Sequence, residues 1–197
     1  PIMWRKTESM HLAAVYSRSA EKGRSFADKF TAAGDGSQIP VYTDLLEMAQ
    51  SDIDAVYIAS PNKLHYEQSK LFLQNGKHVI CEKPASLKIE DIDRIYNAAE
   101  ENGKNVMIAQ VVRFWKEYLY LKETYESQKY GRLMSGRMTR MGRTPIFSWD
   151  DWMRDPERSG LVPFDLHIHD LDFLTLTTTC TQIDLTELFR GGFSTGH

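Results

Sequence analysis

Residues 52–87 read DIDAVYIASPNKLHYEQSKLFLQNGKHVICEKPASL, and this stretch decides the fold class. Residues 52–60 are rich in β-branched and aromatic side chains, which is typical of a strand. A helix is predicted from Pro61 to about Gln74, and the apolar run at residues 78–81 predicts a second strand. Two strands joined by a helix of this length indicate a right-handed βαβ unit in a parallel sheet.

The second strand of this unit ends abruptly at Glu82-Lys83-Pro84. One interpretation is an ordinary surface loop, in which an exposed Glu-Lys pair contributes little to stability. The other is the carboxyl end of a parallel strand, which is the edge where open α/β sheets place their ligand sites. The peptide bond before Pro84 is a candidate for the cis form.

The same alternation of strands and helices surrounds this unit. Further strands are predicted at residues 11–16, 39–44 and 105–111, and helices from Ser19 to about Phe30, over Leu45–Ala49 and from about Ile89 to Asn102. Ser19 and Ser86 are suited to cap the starts of two of these helices, and Gly103 is suited to end one. The fold class that follows is α/β with a parallel sheet.

The pattern changes after Val111. Residues 113–131 predict an amphipathic helix ended by Gly131, and residues 133–143 predict a longer, more polar strand at the edge of a second sheet. Residues 160–174 predict a final helix. Two domains are therefore expected, residues 1–110 and residues 111–197.

Composition is that of an ordinary globular protein. Of the 197 residues, 42% are apolar and 26% charged, with a net charge of −3 and a pI of about 6.1, so nothing favours a nucleic-acid or membrane-surface partner. No apolar run approaches the roughly 20 residues of a membrane span. Residues 1–10 lack the apolar core of a secretory signal. Only two cysteines, Cys81 and Cys180, are present, so a reducing cytoplasm is expected.

Three stretches resemble one known family when taken in order: residues 60–84, RFWKEY at residues 113–118 and DLHIHDLDF at residues 165–173. Together they are similar to the glucose-fructose oxidoreductase and inositol dehydrogenase family, also called Gfo/Idh/MocA. The resemblance implies an amino-terminal Rossmann domain that binds NAD or NADP and a carboxyl-terminal α+β domain with an open sheet. It also implies a homo-oligomer that oxidises or reduces sugars, polyols and related secondary alcohols.

The family begins with a strand and a G-x-G-x-x-G turn that holds the pyrophosphate, and nothing before His11 supplies this turn. GDGSQ at residues 34–38 is no substitute, because it precedes the wrong strand and lacks the third glycine. The absent strand would lie between the strands predicted at residues 11–16 and 52–60. The chain is therefore expected to be an internal piece of a longer protein, with residues 1–110 an incomplete cofactor domain and residues 111–197 part of a substrate and oligomerisation domain.

The residues after the first predicted strand bear on the choice of cofactor. NAD enzymes usually carry an acid at this position, whereas Ser17 and Arg18 stand here, and a hydroxyl with a cation suits the 2′-phosphate of NADP. Arg18 can equally be a solvated residue at the start of a helix. The resemblance also assigns cofactor contacts to a second group of residues, namely Ser60, Pro61, Asn62, His65, Glu82 and Lys83. Asn62 has the alternative role of a helix N-cap.

The resemblance assigns catalysis to Lys83, Asp165 and His169. Lys83 would hydrogen-bond the substrate hydroxyl, and His169 would accept the hydroxyl proton. In a regular helix Asp165, His169 and Asp172 share one face and His167 points nearly opposite, so Asp165 is expected to support His169. A helix face of mutually satisfied polar residues is the alternative. Arg113, Trp152 and Asp165 are the expected substrate contacts.

Two other classes of function stay open at this stage. His167 and His169 with Asp165 or Asp172 could bind a metal in a hydrolase, although two histidines at this spacing diverge on a helix. A nucleotide-sensing or degraded family member without activity is the third possibility. The family resemblance favours the oxidoreductase, and no metal is expected in it.

Overall fold

A computed structural model of the chain describes residues 10–30, 38–139 and 148–178. The strands are β1 Val15–Tyr16, β2 Val41–Tyr42, β3 Ala55–Ile58, β4 His78–Glu82 and β5 Val106–Ala109. The α-helices are α1 Ala20–Ala27, α2 Leu45–Gln50, α3 His65–Gln74, α4 Ile89–Glu101, α5 Lys116–Glu126, α6 Pro156–Ser159 and α7 Ile168–Thr177. Single 3₁₀ segments cover Asn62–Leu64, Val111–Phe114 and Trp149–Arg154, and a π-helical turn covers Pro163–His167.

The strands form two parallel sheets, and the predicted α/β class is confirmed. In the first sheet β1 pairs with β2, Val15 opposite Val41 and Tyr16 opposite Tyr42. In the second sheet the strand order is β3-β4-β5. Helices α3 and α4 join successive strands of the second sheet, as the βαβ prediction requires.

The chain divides into two compact units that are interleaved along the sequence. The first unit comprises Pro1–Ile58, Glu67–Ile80 and Asp93–Val106, and the second comprises Ala59–Tyr66, Cys81–Ile92 and Met107–His197. The residues that follow β3 and β4 therefore belong to the same unit as the part of the chain from Met107 onward. The predicted boundary between residues 110 and 111 stays a prediction about domains.

The first unit holds a small core beneath α1. Ser19 caps this helix as predicted, its hydroxyl accepting a hydrogen bond from the Lys22 amide at 3.3 Å. Gly23 lies so close to β2 that an added Cβ would stand 2.5 Å from Cγ1 of Val41, so a glycine is needed for this packing. The buried core residues here are Val15, Ala27 and Ile39.

The second unit is organised around α7. Phe173 on this helix is buried, and its ring meets the ring of Tyr118 on α5 edge-on at 4.8 Å between centroids. Val112, just before α5, is buried as well. These contacts join α5 and α7 to the 3₁₀ segment that follows β5, which places RFWKEY beside DLHIHDLDF.

Some predicted elements differ from those observed. The helix predicted over residues 113–131 begins only at Lys116 and ends at Glu126, because Trp115 has an extended backbone and Gln128 is left-handed. The strand predicted at residues 133–143 is absent over residues 133–139, since they find no partner strand in the described part of the chain; residues 140–143 lie outside it. The strand predicted at residues 11–16 is also shorter than expected. Only Val15–Tyr16 pairs with a neighbouring strand, which is β2.

Within the described ranges, no helix combines the length and the apolar character that crossing a membrane requires. Cys81 is buried in β4, and Cys180 lies outside the described residues. The peptide bond between Lys83 and Pro84 is cis.

Candidate active site

Lys83 follows β4 directly and belongs to the second unit. Its ammonium nitrogen donates to Oδ1 and to the backbone oxygen of Asp165, each at 2.7 Å. The two side chains are mostly shielded from solvent, with relative exposures of 16% for Lys83 and 23% for Asp165. Because an ammonium has three N–H donors, the pair with Asp165 leaves one donor for a ligand.

Asp165 lies in the π-helical turn that precedes α7. Its carboxylate bonds to Lys83 through Oδ1, and the support of His169 by Asp165 stays a prediction. In this turn the amide of Ile168 donates to the carbonyl of Pro163, five residues back. The four-residue spacing that stacks side chains in an α-helix therefore does not carry over from Asp165 to His169.

His169 is in the first turn of α7, with an exposed fraction of 8%. Asp170 beside it is also buried, and its carboxylate lies 3.4 Å from Nδ1 of His167 and 3.5 Å from the hydroxyl of Tyr118. Asp170 is not among the site residues predicted from the sequence. Its position three residues after His167 on a helix is the signal that could have predicted the contact between them. His167 is thus engaged with Asp170 and is separate from the Lys83–Asp165 pair.

Arg113 was predicted to contact the substrate, and the structure gives its guanidinium a definite partner. Its Nε donates to Oδ2 of Asp172 at 2.7 Å, and its Nη2 donates to Oδ1 at 2.5 Å. Two parallel charged hydrogen bonds of this kind fix both position and angle. Arg113 therefore holds the end of the 3₁₀ segment against α7, and Trp152, the other predicted contact, is half-buried in the segment before α6.

The residues after β3 also make contacts within the second unit. Asn62 is buried, and its amide nitrogen donates to the backbone oxygen of Ser159 at 2.8 Å. It makes no side-chain cap, so the N-cap alternative for Asn62 is wrong. His65 is also buried, with its two ring nitrogens against the carbonyl oxygens of Pro84 and Ser60. These two side chains thus bind backbone groups of the second unit.

The remaining predicted cofactor contacts fall in both units. Ser17 and Arg18 belong to the first unit, in the turn between β1 and α1, where Ser17 Oγ accepts from the Ser19 amide at 3.3 Å and Arg18 is exposed. Pro61 and Glu82 belong to the second unit and are partly exposed. A hydroxyl and an exposed guanidinium in one turn have the donor chemistry that a phosphate group requires.

A metal centre finds no support in the part of the chain that the structure describes. There, no group of three or more histidine, cysteine, aspartate or glutamate side chains is arranged to hold an ion. The two carboxylates considered as metal ligands are engaged elsewhere, Asp165 with Lys83 and Asp172 with Arg113.

A parallel α/β sheet with polar side chains just past its strand ends is typical of proteins that bind a ligand at that edge, dinucleotide-binding proteins among them. Comparison with known families is specific: the Gfo/Idh/MocA family, described as an oxidoreductase family with an NAD-binding Rossmann fold, matches residues 2–110. The chain belongs to this family.

Relatives of known sequence and structure agree with this assignment. Over 117 residues the chain is 46% identical to scyllo-inositol 2-dehydrogenase (NADP(+)) of Bacillus subtilis, covering 59% of this chain and 34% of that protein. It is 28% identical to 2,7-anhydro-N-acetylneuraminate hydratase of Mediterraneibacter gnavus, covering 85% and 42%. Among solved structures, an NAD-binding protein from Listeria innocua is 26% identical, with a TM-score of 0.77 over 90% of this chain and 50% of that one. The chain thus spans from about a third to a half of the length of these relatives.

Proposed function

We propose that this chain is the part of an NAD(P)-dependent oxidoreductase that transfers a hydride between nicotinamide and a secondary alcohol of a sugar or polyol. The observation that carries the proposal is the Lys83–Asp165 pair, 2.7 Å long, at the carboxyl end of β4. Ligand sites of parallel α/β sheets lie at this edge. Family membership and the dehydrogenase from B. subtilis support the reaction class.

Lys83 is proposed to bind the substrate oxygen. Asp165 occupies two of its three donors and so leaves the third for the substrate. A protonated amine beside the alcohol oxygen stabilises the negative charge that develops there as the C–H bond breaks. Because Asp165 also contributes a backbone oxygen, the ammonium is held from two directions before the substrate arrives.

His169 is proposed to take the hydroxyl proton. It is largely buried at the start of α7, the helix that follows directly on the turn carrying Asp165. Imidazole can accept and release a proton near neutral pH, which a general base in alcohol oxidation must do. In this proposal the carboxylate of Asp165 holds Lys83, and its predicted support of His169 remains part of the proposal.

NADP is the proposed cofactor in preference to NAD. Ser17 and Arg18 would hold the 2′-phosphate, while Ser60, Pro61 and Glu82 would lie along the nicotinamide ribose. When bound, the nicotinamide ring supplies or accepts the hydride. The NADP(+)-named relative from B. subtilis supports this choice. Residues 1–110 would form the cofactor domain, and residues 111–197 the substrate domain, with Arg113 and Trp152 near the substrate.

The proposal extends to the setting of the whole protein. Its cysteine content fits a reducing cytoplasm, and the family resemblance supports a homo-oligomer with a small-molecule substrate. Neither nucleic acid nor membrane is proposed as a partner, since the net charge is only −3.

The test is an assay of the whole protein against a panel of sugars and polyols with NAD and NADP. Reduction of the cofactor in step with loss of substrate is expected, and Lys83→Ala should abolish most of it. Substrate conversion with no net change in cofactor would instead indicate a hydration-type reaction, the activity named for the M. gnavus relative. Cofactor binding without conversion of any substrate would favour a nucleotide-sensing protein.

A further inference from the structure

His65 occupies an unusual position at the start of α3. Only 1% of the residue is exposed, and both of its ring nitrogens contact backbone carbonyl oxygens. Nδ1 lies 2.6 Å from the oxygen of Pro84, and Nε2 lies 2.8 Å from the oxygen of Ser60. The Nε2 distance is within the usual range of N–H···O hydrogen bonds, and the Nδ1 distance is slightly shorter than that range.

Each of these acceptors belongs to a backbone segment that leaves the sheet. Ser60 lies two residues after the end of β3, and Pro84 lies two residues after the end of β4. The imidazole ring therefore contacts the backbone that follows both strands. Carbonyl oxygens only accept hydrogen bonds. Each neutral tautomer of His65 therefore donates one of the two bonds, and the imidazolium form donates both.

We propose that His65 is a positioning residue for Lys83. The Pro84 oxygen that His65 holds is one residue past Lys83, and the Lys83 ammonium is held in turn by Asp165. Fixing the backbone beside Lys83 limits the directions that its side chain can take. His65 thus positions the backbone of Lys83, and Asp165 binds the ammonium at the other end of the side chain. This role differs from a cofactor contact, because the ring is buried and both nitrogens face protein oxygens.

Two substitutions separate the two bonds of His65. In His65→Asn the amide nitrogen is attached at the same distance along the side chain as Nδ1, so the bond to Pro84 can persist while the bond to Ser60 is lost. In His65→Gln the amide nitrogen corresponds to Nε2, so the bond to Ser60 persists and the bond to Pro84 is lost. Each variant thus keeps an amide donor for only one of the two carbonyl oxygens that the ring contacts.

The readout is the rate at which Lys83 is acetylated by a dilute amine reagent, measured by peptide mass spectrometry. His65→Gln should raise this rate about fivefold, because one buried hydrogen bond controls a population change of that order, whereas His65→Asn should stay within about twofold of the parent protein. The exposed Lys22 is the internal reference and should react equally in all samples. Asn75→Ala removes a side-chain bond to the Leu71 carbonyl in the first unit, and it should leave the reactivity of Lys83 unchanged.

Equal acetylation of Lys83 in the Asn and Gln variants would overturn the inference. If either variant fails to fold, the hydrogen bond from His65 to Pro84 can be tested by NMR of the parent protein. A scalar coupling between Nδ1 of His65 and the carbonyl carbon of Pro84 is expected, and its absence would also overturn the inference. The catalytic consequence rests on the proposed function: kcat should fall in His65→Gln more than in His65→Asn. If Lys83 acetylation changes as expected and no oxidoreductase activity exists in any variant, the proposed function fails and the positioning role stands.

Discussion

The Lys83–Asp165 pair can be tested by measuring the free energy that couples its two members. Lys83→Met removes the ammonium and keeps most of the aliphatic stem, and Asp165→Asn removes the negative charge with little change in volume. The Asn variant keeps the backbone oxygen and an amide oxygen as acceptors for Lys83 and loses the negative charge. The double-mutant cycle therefore isolates the contribution of the carboxylate.

The expected magnitude follows from the distance and the exposure of the pair. Opposite unit charges 2.7 Å apart attract by about 6 kcal/mol at an effective dielectric constant of about 20. Desolvation of two shielded ions opposes this by several kcal/mol. Exposed ion pairs stabilise a protein by about 0–1 kcal/mol. With side-chain exposures of 16% and 23%, this pair is intermediate between an exposed pair and a fully buried one. A coupling free energy of about 1–3 kcal/mol is expected.

The assay is urea unfolding of the parent protein, the two single variants and the double variant. Lys122 and Glu126 on α5 provide a matched control, since they form an exposed lysine-carboxylate pair at 3.8 Å, and their coupling should be about 0.3–0.5 kcal/mol. If the losses for Lys83→Met and Asp165→Asn simply add, to within about 0.3 kcal/mol, the two groups do not hold each other and the central premise of the proposed site is refuted.

Three further predictions concern the cofactor, the proton and the packing. Arg18→Ala should weaken NADP binding by roughly 1–3 kcal/mol in calorimetry and leave NAD nearly unchanged, and equal losses would mark Arg18 as structural. His169→Ala should lower kcat by about 10² to 10⁴ with cofactor affinity nearly intact, while His167→Ala should cost far less; the reverse order would disprove the assignment of the base. Gly23→Ala should destabilise the fold by about 1–3 kcal/mol in thermal or urea unfolding, because its Cβ would stand 2.5 Å from a side-chain carbon of β2, whereas Gly136→Ala, with open space around it, should stay within about 0.5 kcal/mol.

Local signals made the sheet and its helices predictable from the sequence. The β-branched run at residues 52–60 and the apolar run at residues 78–81 contain the strands that were found, and Ser19 caps α1 as its position suggested. Gly103 has a φ of +60° just after α4, which is the left-handed geometry expected of a helix-ending glycine. Each of these features is decided within a few residues, so a short window of sequence is sufficient.

The partners of the candidate catalytic residues were not predictable in this way. The prediction that Asp165 and His169 share a helix face assumes a regular α-helix, whereas residues 163–167 form a π-helical turn. Hydrophobic periodicity carries no signature of a single wide turn. The structure pairs Asp165 with Lys83, 82 residues away, and a contact at this separation depends on the folded chain.

Lys83 is therefore held by two segments that are distant from it in sequence. The tripeptide around Lys83 does not by itself determine the direction of the side chain. The ammonium is held by Asp165 from the turn before α7, while the backbone just past Lys83 is held by His65 from the start of α3. Glu82-Lys83-Pro84 by itself specifies neither anchor, because a surface Glu-Lys-Pro has the same three residues and no preferred direction for the amine. Lys83, Asp165 and His65 all belong to the second unit. Folding of that unit therefore gives the ammonium of Lys83 a fixed direction, which the tripeptide alone does not.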